Sequence, residues 1–217
     1  ARWIDAGRAS RDGVGMLDSR LIPLQRALMD PPARALVRMR VRADQLTVAG
    51  CAIGVAAAIA AAFGMYWLAL LGLAANRVAD GLDGAVARMT KPTDRGAFLD
   101  IALDFVFYAA FPLGFVFADT VANAAAGAAL IASFVLTGSS FLAFSIIAER
   151  RGLASKDYPS KGIYYLGGLA EGTETIAVFV AFCLFPNAFP IIAWIFAGIC
   201  LLTGLTRYLA GWTAFRD

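Results

Sequence analysis

The sequence predicts an all-α fold: a polytopic bundle of six transmembrane helices preceded by an N-terminal amphipathic juxtamembrane helix. Three observations carry that expectation. Apolar residues make up 60% of the chain and charged residues 16%, with a mean hydropathy of +0.69; soluble domains average roughly 45–50% and 25%. The apolar residues fall into runs at about 46–62, 66–88, 96–117, 122–147, 163–185 and 188–211, most of them reaching the ~20 residues needed to cross the hydrocarbon layer. Finally, the 19 Lys and Arg residues avoid one set of connections entirely.

Taken in order, residues 1–15 read as a mobile tail, with Gly7, Gly13 and Gly15 among charges and no apolar region of a signal peptide. Residues 16–43 form the juxtamembrane segment, where Arg26, Arg34, Arg38, Arg40 and Arg42 alternate with Leu21, Ile22, Leu24, Leu28, Leu36, Val37 and Val41. That pattern suits a helix lying on the membrane near anionic headgroups, or a basic flank with no ligand role. Pro31-Pro32 is expected to break it into two pieces. Residues 44–217 are the six-span domain. Its short connections Gly64–Met65, Ala118–Val121 and Pro186–Asn187 hold no Lys or Arg, whereas nine of the 19 precede residue 46. Most of the others flank Met89–Arg95 and Glu149–Lys161. This asymmetry predicts a multi-pass protein with both termini cytoplasmic. Tyr164 and Tyr165 fit an aromatic belt.

The chain has no histidine, which excludes His-based acid–base or triad chemistry and the commonest transition-metal ligand. Cys51, Cys183 and Cys200 sit in apolar runs without metal-type spacing and read as buried small hydrophobes. The basic residues have a lipid-facing explanation, so no nucleic-acid partner is expected.

Four carboxylates break the apolar pattern: Asp80 and Asp83 in the second run, Asp100 and Asp104 in the third. A charged residue within a span costs about 2.5–3.5 kcal/mol on insertion scales, so a cluster of four needs a strong reason. Spacings of three and four put each pair on one helix face. Counting from the short loop at about 1.5 Å per residue, Asp83 and Asp100 lie roughly 7–9 Å in and Asp80 and Asp104 roughly 13 Å in. Asp83 should therefore face Asp100, and Asp80 should face Asp104. Like charges in low dielectric oppose one another's ionisation, and hard oxygen donors without His or Cys suit Mg²⁺, Mn²⁺ or Ca²⁺. Two ions would suit a phosphate-bridging reaction. Pairing with Arg77, Arg88 or Arg95 as structural glue, or a proton or cation relay, are the alternatives. Gly84 leaves room for a ligand near backbone, Ala87 keeps helices close, Arg88 suits phosphate contact, and Gly96 avoids bulk at the pocket. Asp44 and Thr47 stand at the start of the first span, where either caps the helix or helps hold an anion.

The arrangement Asp80, Asp83, Gly84, Ala87, Arg88, a seven-residue spacer, Gly96, Asp100 and Asp104 resembles the CDP-alcohol phosphotransferase family, whose signature D-x2-D-G-x2-A-R, seven or eight residues, G-x3-D-x3-D is met at every fixed position. With the six-span layout the resemblance covers about residues 20–215. The stretches F-L-D-I-A-L-D-F-V-F-Y and Y-Y-L-G-G-L-A-E-G-T-E-T look like a bacterial inner-membrane branch of that family. The resemblance implies that Asp80, Asp83, Asp100 and Asp104 hold two Mg²⁺ or Mn²⁺ ions against the CDP diphosphate, and that Asp104 is the general base. It implies nucleotide contacts from Gly84 and Arg88, with Ala87 and Gly96 part of the same segment, and further contacts from Asp44, Thr47 and Thr93. It also implies a CDP-alcohol donor such as CDP-diacylglycerol, a small alcohol acceptor, CMP as product, and a homodimer.

For the acceptor, Lys156, Lys161, Arg150, Arg151 and Arg207 could receive a phosphate, though Arg150 and Arg151 equally fit basic flanks. Glu171 and Glu174 share one face of the fifth span, Glu171 roughly 13 Å deep. With Lys161 they are the candidate acceptor pocket, one that favours hydroxyls or an ammonium group; salt bridges to Arg77 or Arg207, or a subunit interface, are the rival explanation. A hydrolase at the same metals is the competing chemistry. A cation or proton transporter would use buried acids but has no need of Gly84, Ala87, Arg88 and Gly96.

Overall fold

A computed structural model describes residues 28–151 and 172–216. The described residues form helices and connecting turns: α1 over 28–38, α2 Ala43–Ala62, α3 Tyr66–Met89, α4 Asp94–Ala118, α5 Thr120–Arg150, α6 Gly172–Leu184, a 3₁₀ turn Pro186–Ala188 and α7 Phe189–Ala214. Helices α2, α4, α5 and the Pro186–Ala214 segment are long and apolar enough to cross a membrane, and the protein is an all-α membrane bundle. Helix α3 has the length, 24 residues, but carries Arg77, Asp80, Asp83 and Arg88. Helix α6 is apolar over its 13 described residues.

The turns follow from local chemistry. Helix α1 runs through Pro31 and Pro32 without a break over its described residues, contrary to the expectation of two pieces; the proline ring fixes φ near the helical value, so each removes a donor without forcing the backbone to turn. The helix stops instead at Arg40, whose φ is 60°. Arg40 N–H donates to Val37 O and Val41 N–H to Leu36 O, each at 3.0 Å, which is a Schellman stop with a non-glycine residue in the left-handed position. Gln45 then reaches back to accept from the Arg42 N–H at 2.9 Å, half of a capping box for α2. Gly64, at φ 74°, ends α2 with the Met65 N–H donating to Ala60 O at 2.9 Å. Asp119 caps α5 by accepting from the Ala122 N–H at 3.0 Å. The three short connections thus fall where the sequence puts them.

The described residues form two compact units, one within Ala1–Gly54 and Gly72–Val106 and the other within Val55–Leu71 and Phe107–Asp217. In the first, Ala33 of α1 is buried with Ala85 and Val86 of α3, flanked by Met29, Leu36, Val37, Leu46, Leu82 and Met89. The apolar face of α1 is therefore packed on protein, while Arg34, Arg38, Arg40 and Arg42 stay exposed. Helices α2 and α3 meet closely at Gly50, where an added Cβ would lie 3.0 Å from the Ala79 Cβ. In the second unit, Phe111 and Phe179 stack at 4.8 Å, Phe182 meets Phe189 at 4.6 Å, and Phe115 lies parallel to Phe189 at 5.3 Å. Gly114 brings α4 against the Ala58 carbonyl of α2. Along α5 the hydroxyls of Ser133, Thr137, Ser139 and Ser140 donate to carbonyls three or four residues back, so these polar groups are satisfied within their own helix.

Candidate active site

The acidic residues come together within the first unit. Asp80 and Asp83 on α3 and Asp100 on α4 each offer one carboxylate oxygen, all within 4.8 Å of one another. Asp83 is the most enclosed, 6% exposed; the Thr47 hydroxyl of α2 holds it, donating to Asp83 Oδ2 at 2.6 Å. Asp83 and Asp100 meet as the spacing predicts. Asp80 and Asp104 are connected by a cation: Arg77 places Nη1 3.5 Å from Asp80 Oδ2 and Nη2 3.3 Å from Asp104 Oδ1. Arg77 Nε donates to Asn76 Oδ1 at 2.8 Å, and buried Asn76 donates Nδ2 to Gly50 O at 2.8 Å. Ion pairing by Arg77 and convergence of the acids therefore coexist.

Asp44 does not cap α2. It lies inside the first turn, where its Oδ2 accepts from Arg95 Nε at 3.0 Å and from Arg95 Nη2. Thr47 is likewise inside the helix, its hydroxyl also near Ala43 O at 3.1 Å. Thr93 is the residue that caps a helix here: its Oγ1 accepts from the Gly96 N–H at 3.0 Å, opening α4. A Cβ on Gly96 would lie 3.2 Å from Thr93 Oγ1 and 3.3 Å from Asp44 Oδ1, so this glycine lets α4 start against α2. A Cβ on Gly84 would lie 3.2 Å from Arg88 Nη1, so the space above that backbone is where the exposed Arg88 guanidinium reaches. Ala87 is half-buried on the same helix.

Glu174 occupies the first turn of α6 and is half-buried, in the second unit. Glu171, Lys156, Lys161, Tyr164 and Tyr165 lie outside the described residues. Arg151 donates from Nη2 to Phe215 O at 3.2 Å and lies over the Phe215 ring. Arg207 donates from Nη1 to Thr137 O at 3.4 Å and lies over Phe141. Cys183 and Cys200 are buried thiols and Cys51 is partly buried, as expected. Sequence reasoning missed Asn76; its signal was an amide beside Arg77 in an otherwise apolar run.

A bundle of membrane helices holding hard oxygen donors, with a hydroxyl donor behind them and an arginine beside them, defines a membrane protein with a site suited to a divalent ion and an anionic ligand. The model of one family, described as CDP-alcohol phosphatidyltransferase, matches residues 40–206. The chain belongs to that family of transferases. It is 47% identical over 202 residues, covering 93% of this chain and 98% of the relative, to the inner membrane protein YnjF of Escherichia coli (strain K12). Two solved structures of Mycobacterium tuberculosis phosphatidylinositol phosphate synthase (PgsA1) share the fold. The one with CDP-DAG bound has a TM-score of 0.70 at 22% identity, covering 88% of this chain and 98% of that one. The one in complex with manganese and citrate also has a TM-score of 0.70, at 23% identity, covering 87% and 92%.

Proposed function

We propose that this protein transfers a substituted phosphate group from a CDP-alcohol to an acceptor alcohol with release of CMP, within phospholipid synthesis. The observation that carries the proposal is the convergence of Asp80, Asp83 and Asp100 oxygens from two helices within 4.8 Å. Carboxylate oxygens alone fit Mg²⁺ or Mn²⁺, and the proposed centre takes two ions, with Asp104 completing the set. When bound, such ions draw electron density from the phosphoanhydride and stabilise the departing CMP.

The chain's own residues do the remainder. Thr47, through its bond to Asp83, fixes one carboxylate in place before any ligand arrives. Arg88, exposed over Gly84, is the cation proposed to take a nucleotide phosphate, with Gly84, Ala87 and Gly96 keeping side-chain bulk away; Asp44, Thr47 and Thr93 edge the same region. Asp104 is the proposed general base. Arg77 engages its Oδ1, leaving Oδ2 to accept the proton of the acceptor hydroxyl. The acceptor oxygen forms its bond to the phosphorus as the bond to the CMP oxygen breaks, and CMP leaves with that electron pair.

The proposed donor is CDP-diacylglycerol, the ligand named for the fold neighbour; a membrane-embedded site suits a lipid donor. Glu171 and Glu174, with Lys161, are proposed to line the acceptor pocket. The Lys and Arg distribution supports both termini on the cytoplasmic side of a bacterial inner membrane, the compartment in the name of the relative. The homodimer that family resemblance implies is tested by light scattering in detergent.

The deciding experiment supplies CDP-diacylglycerol and short CDP-alcohols to the detergent-solubilised protein, with and without Mn²⁺, beside Asp104→Asn. Metal-dependent CMP release that Asp104→Asn abolishes is the expected result, and a new phospholipid on adding an alcohol identifies the acceptor. CMP release that never yields a new ester would make the protein a hydrolase. No release from any donor, despite Mn²⁺ binding, would overturn the transferase proposal in favour of ion transport.

A further inference from the structure

Arg95 stands in the spacer that the signature leaves open, and its partner is Asp44 in the first turn of α2. Its Nε donates to Asp44 Oδ2 at 3.0 Å, and Nη2 donates to the same oxygen. Both N–H groups converge on one oxygen, and Oδ1 faces the start of α4, where a Cβ on Gly96 would lie 3.3 Å from it. That Cβ would also lie 3.2 Å from Thr93 Oγ1, and among the described residues no third atom comes within 4 Å of it. Because residue 96 is glycine, this point is a notch edged by a carboxylate oxygen and a hydroxyl. Helix α2 ties the notch to the acids. Thr47, three residues after Asp44 and so on the same face, donates to Asp83 Oδ2 at 2.6 Å. Asp44 is then about 4.5 Å nearer the start of α2 than the residue that touches the acid cluster. A ligand with its diphosphate at Asp80, Asp83 and Asp100 reaches Asp44 with the next group along. Of the two groups that a diphosphate joins in a CDP-alcohol, a lipid belongs with the apolar spans and the nucleoside with this polar end.

We propose that Arg95 is a positioning residue for the CDP donor, fixing the Asp44 carboxylate so that Oδ1, beside the Thr93 hydroxyl, accepts an O–H or N–H of the nucleoside. This rests on the reading of the acid cluster as the place of the donor's diphosphate. The Arg95 side chain is 67% exposed and that of Asp44 20%, and an exposed ion pair adds little to stability. What the pair supplies is direction. A planar guanidinium with two N–H groups on one oxygen restrains the carboxylate's rotation, and a group already oriented loses less freedom when a ligand arrives. A carboxylate paired with a guanidinium is an acceptor only, so Oδ1 selects for hydrogen donors. The nucleoside offers two kinds, the ribose hydroxyls and the exocyclic amine of cytosine. Uracil carries a carbonyl in place of that amine and would meet Oδ1 lone pair to lone pair.

The test compares CDP, UDP and dideoxy-CDP, which lacks both ribose hydroxyls, binding to the detergent-solubilised full chain by calorimetry with Mn²⁺ present. Wild type is expected to hold CDP roughly tenfold more tightly than one of the analogues, the scale of one hydrogen bond to a charged group. Weaker UDP assigns the amine to Oδ1, and weaker dideoxy-CDP assigns a ribose hydroxyl. Arg95→Gln is expected to remove that preference by lowering CDP toward the analogue's affinity, with Mn²⁺ affinity measured without nucleotide unchanged. Arg95→Lys keeps the charge without the planar fork and should recover part of the preference. Asp44→Ala should match Arg95→Gln, and the double variant should bind CDP no more weakly than Asp44→Ala alone. Equal binding of all three nucleotides by wild type would overturn the proposal. Equal weakening of all three by Arg95→Gln would also overturn it, making Arg95 a contact for the phosphates. A preference left intact in Arg95→Gln, whatever its unfolding midpoint, would overturn it too and leave the pair a tie between α2 and α4. Wild type that binds no CDP at all would instead overturn the underlying donor reading.

Discussion

The unit that carries the acids and the unit that carries the phenylalanines are built partly from the same three helices, since α2, α3 and α4 each contribute to both. Their interiors nevertheless use opposite chemistry. The acid-bearing unit is held by small side chains and directed polar bonds: Gly50 against Ala79, Asn76 to Gly50, Thr47 to Asp83, Arg95 to Asp44. The phenylalanine-bearing unit is held by ring contacts among Phe107, Phe111, Phe115, Phe179, Phe182 and Phe189, each 1% exposed or less. A site proposed to admit ions and a charged ligand keeps its shape by hydrogen bonds of fixed direction. A region without that duty keeps its shape by area and interdigitation.

Substitutions should separate the two regions, and the largest expected effect belongs to the acids. Asp104→Asn is expected to lower kcat by roughly 10²–10⁴-fold, the usual contribution of a positioned proton acceptor, while leaving thermal unfolding in detergent close to wild type. A fall in stability as large as the fall in rate would erase the distinction drawn between the regions. Phe179→Ala is the reverse case. It removes a fully buried ring that contacts four others on α4 and α6 and should cost about 3–5 kcal/mol of stability, read as a shifted unfolding midpoint. The Mn²⁺ affinity of the protein that remains folded should be unchanged.

Gly114→Ala sharpens the packing side of the comparison. The new methyl would meet the Ala58 carbonyl, and backbone cannot swing aside as a side-chain tip can, so about 1–3 kcal/mol is expected from overpacking. Gly198→Ala, with nothing within 4 Å of the added Cβ, is the matched control and should be close to neutral. The smallest loss of stability is expected at Asp119, whose Oδ1 caps α5. Asp119→Ala should cost about 0.5–2 kcal/mol, and the midpoint shift should be recovered by Asp119→Ser or Asp119→Asn.

Much of the fold and part of the site were legible because they depend on spacing along the chain. Six apolar runs, three short connections and two pairs of acids at three and four residues are periodicities, and periodicity places residues on faces whatever packs against them. The Pro31-Pro32 pair misled because the fixed φ of proline is itself close to helical, so the pair removes donors without forcing a turn. Asp44 misled for a related reason. It has the residue type of a cap and the position of one, but the cap function at α2 falls to Gln45 while Arg95 takes the carboxylate.

By itself, then, the sequence determined that this is a membrane bundle, where α2, α3, α4, α5 and α7 begin and end to within a few residues, and which acids share a face. The tertiary structure alone decided that Thr47 rather than solvent meets Asp83, that Thr93 opens α4, and that Arg77, steadied by Asn76, reaches both Asp80 and Asp104. Those outcomes depend on which of several nearby partners a charged group reaches first in three dimensions. Several acids and arginines lie within a turn or two of one another, so spacing leaves many pairings open, and only the docking of α2, α3 and α4 selects among them.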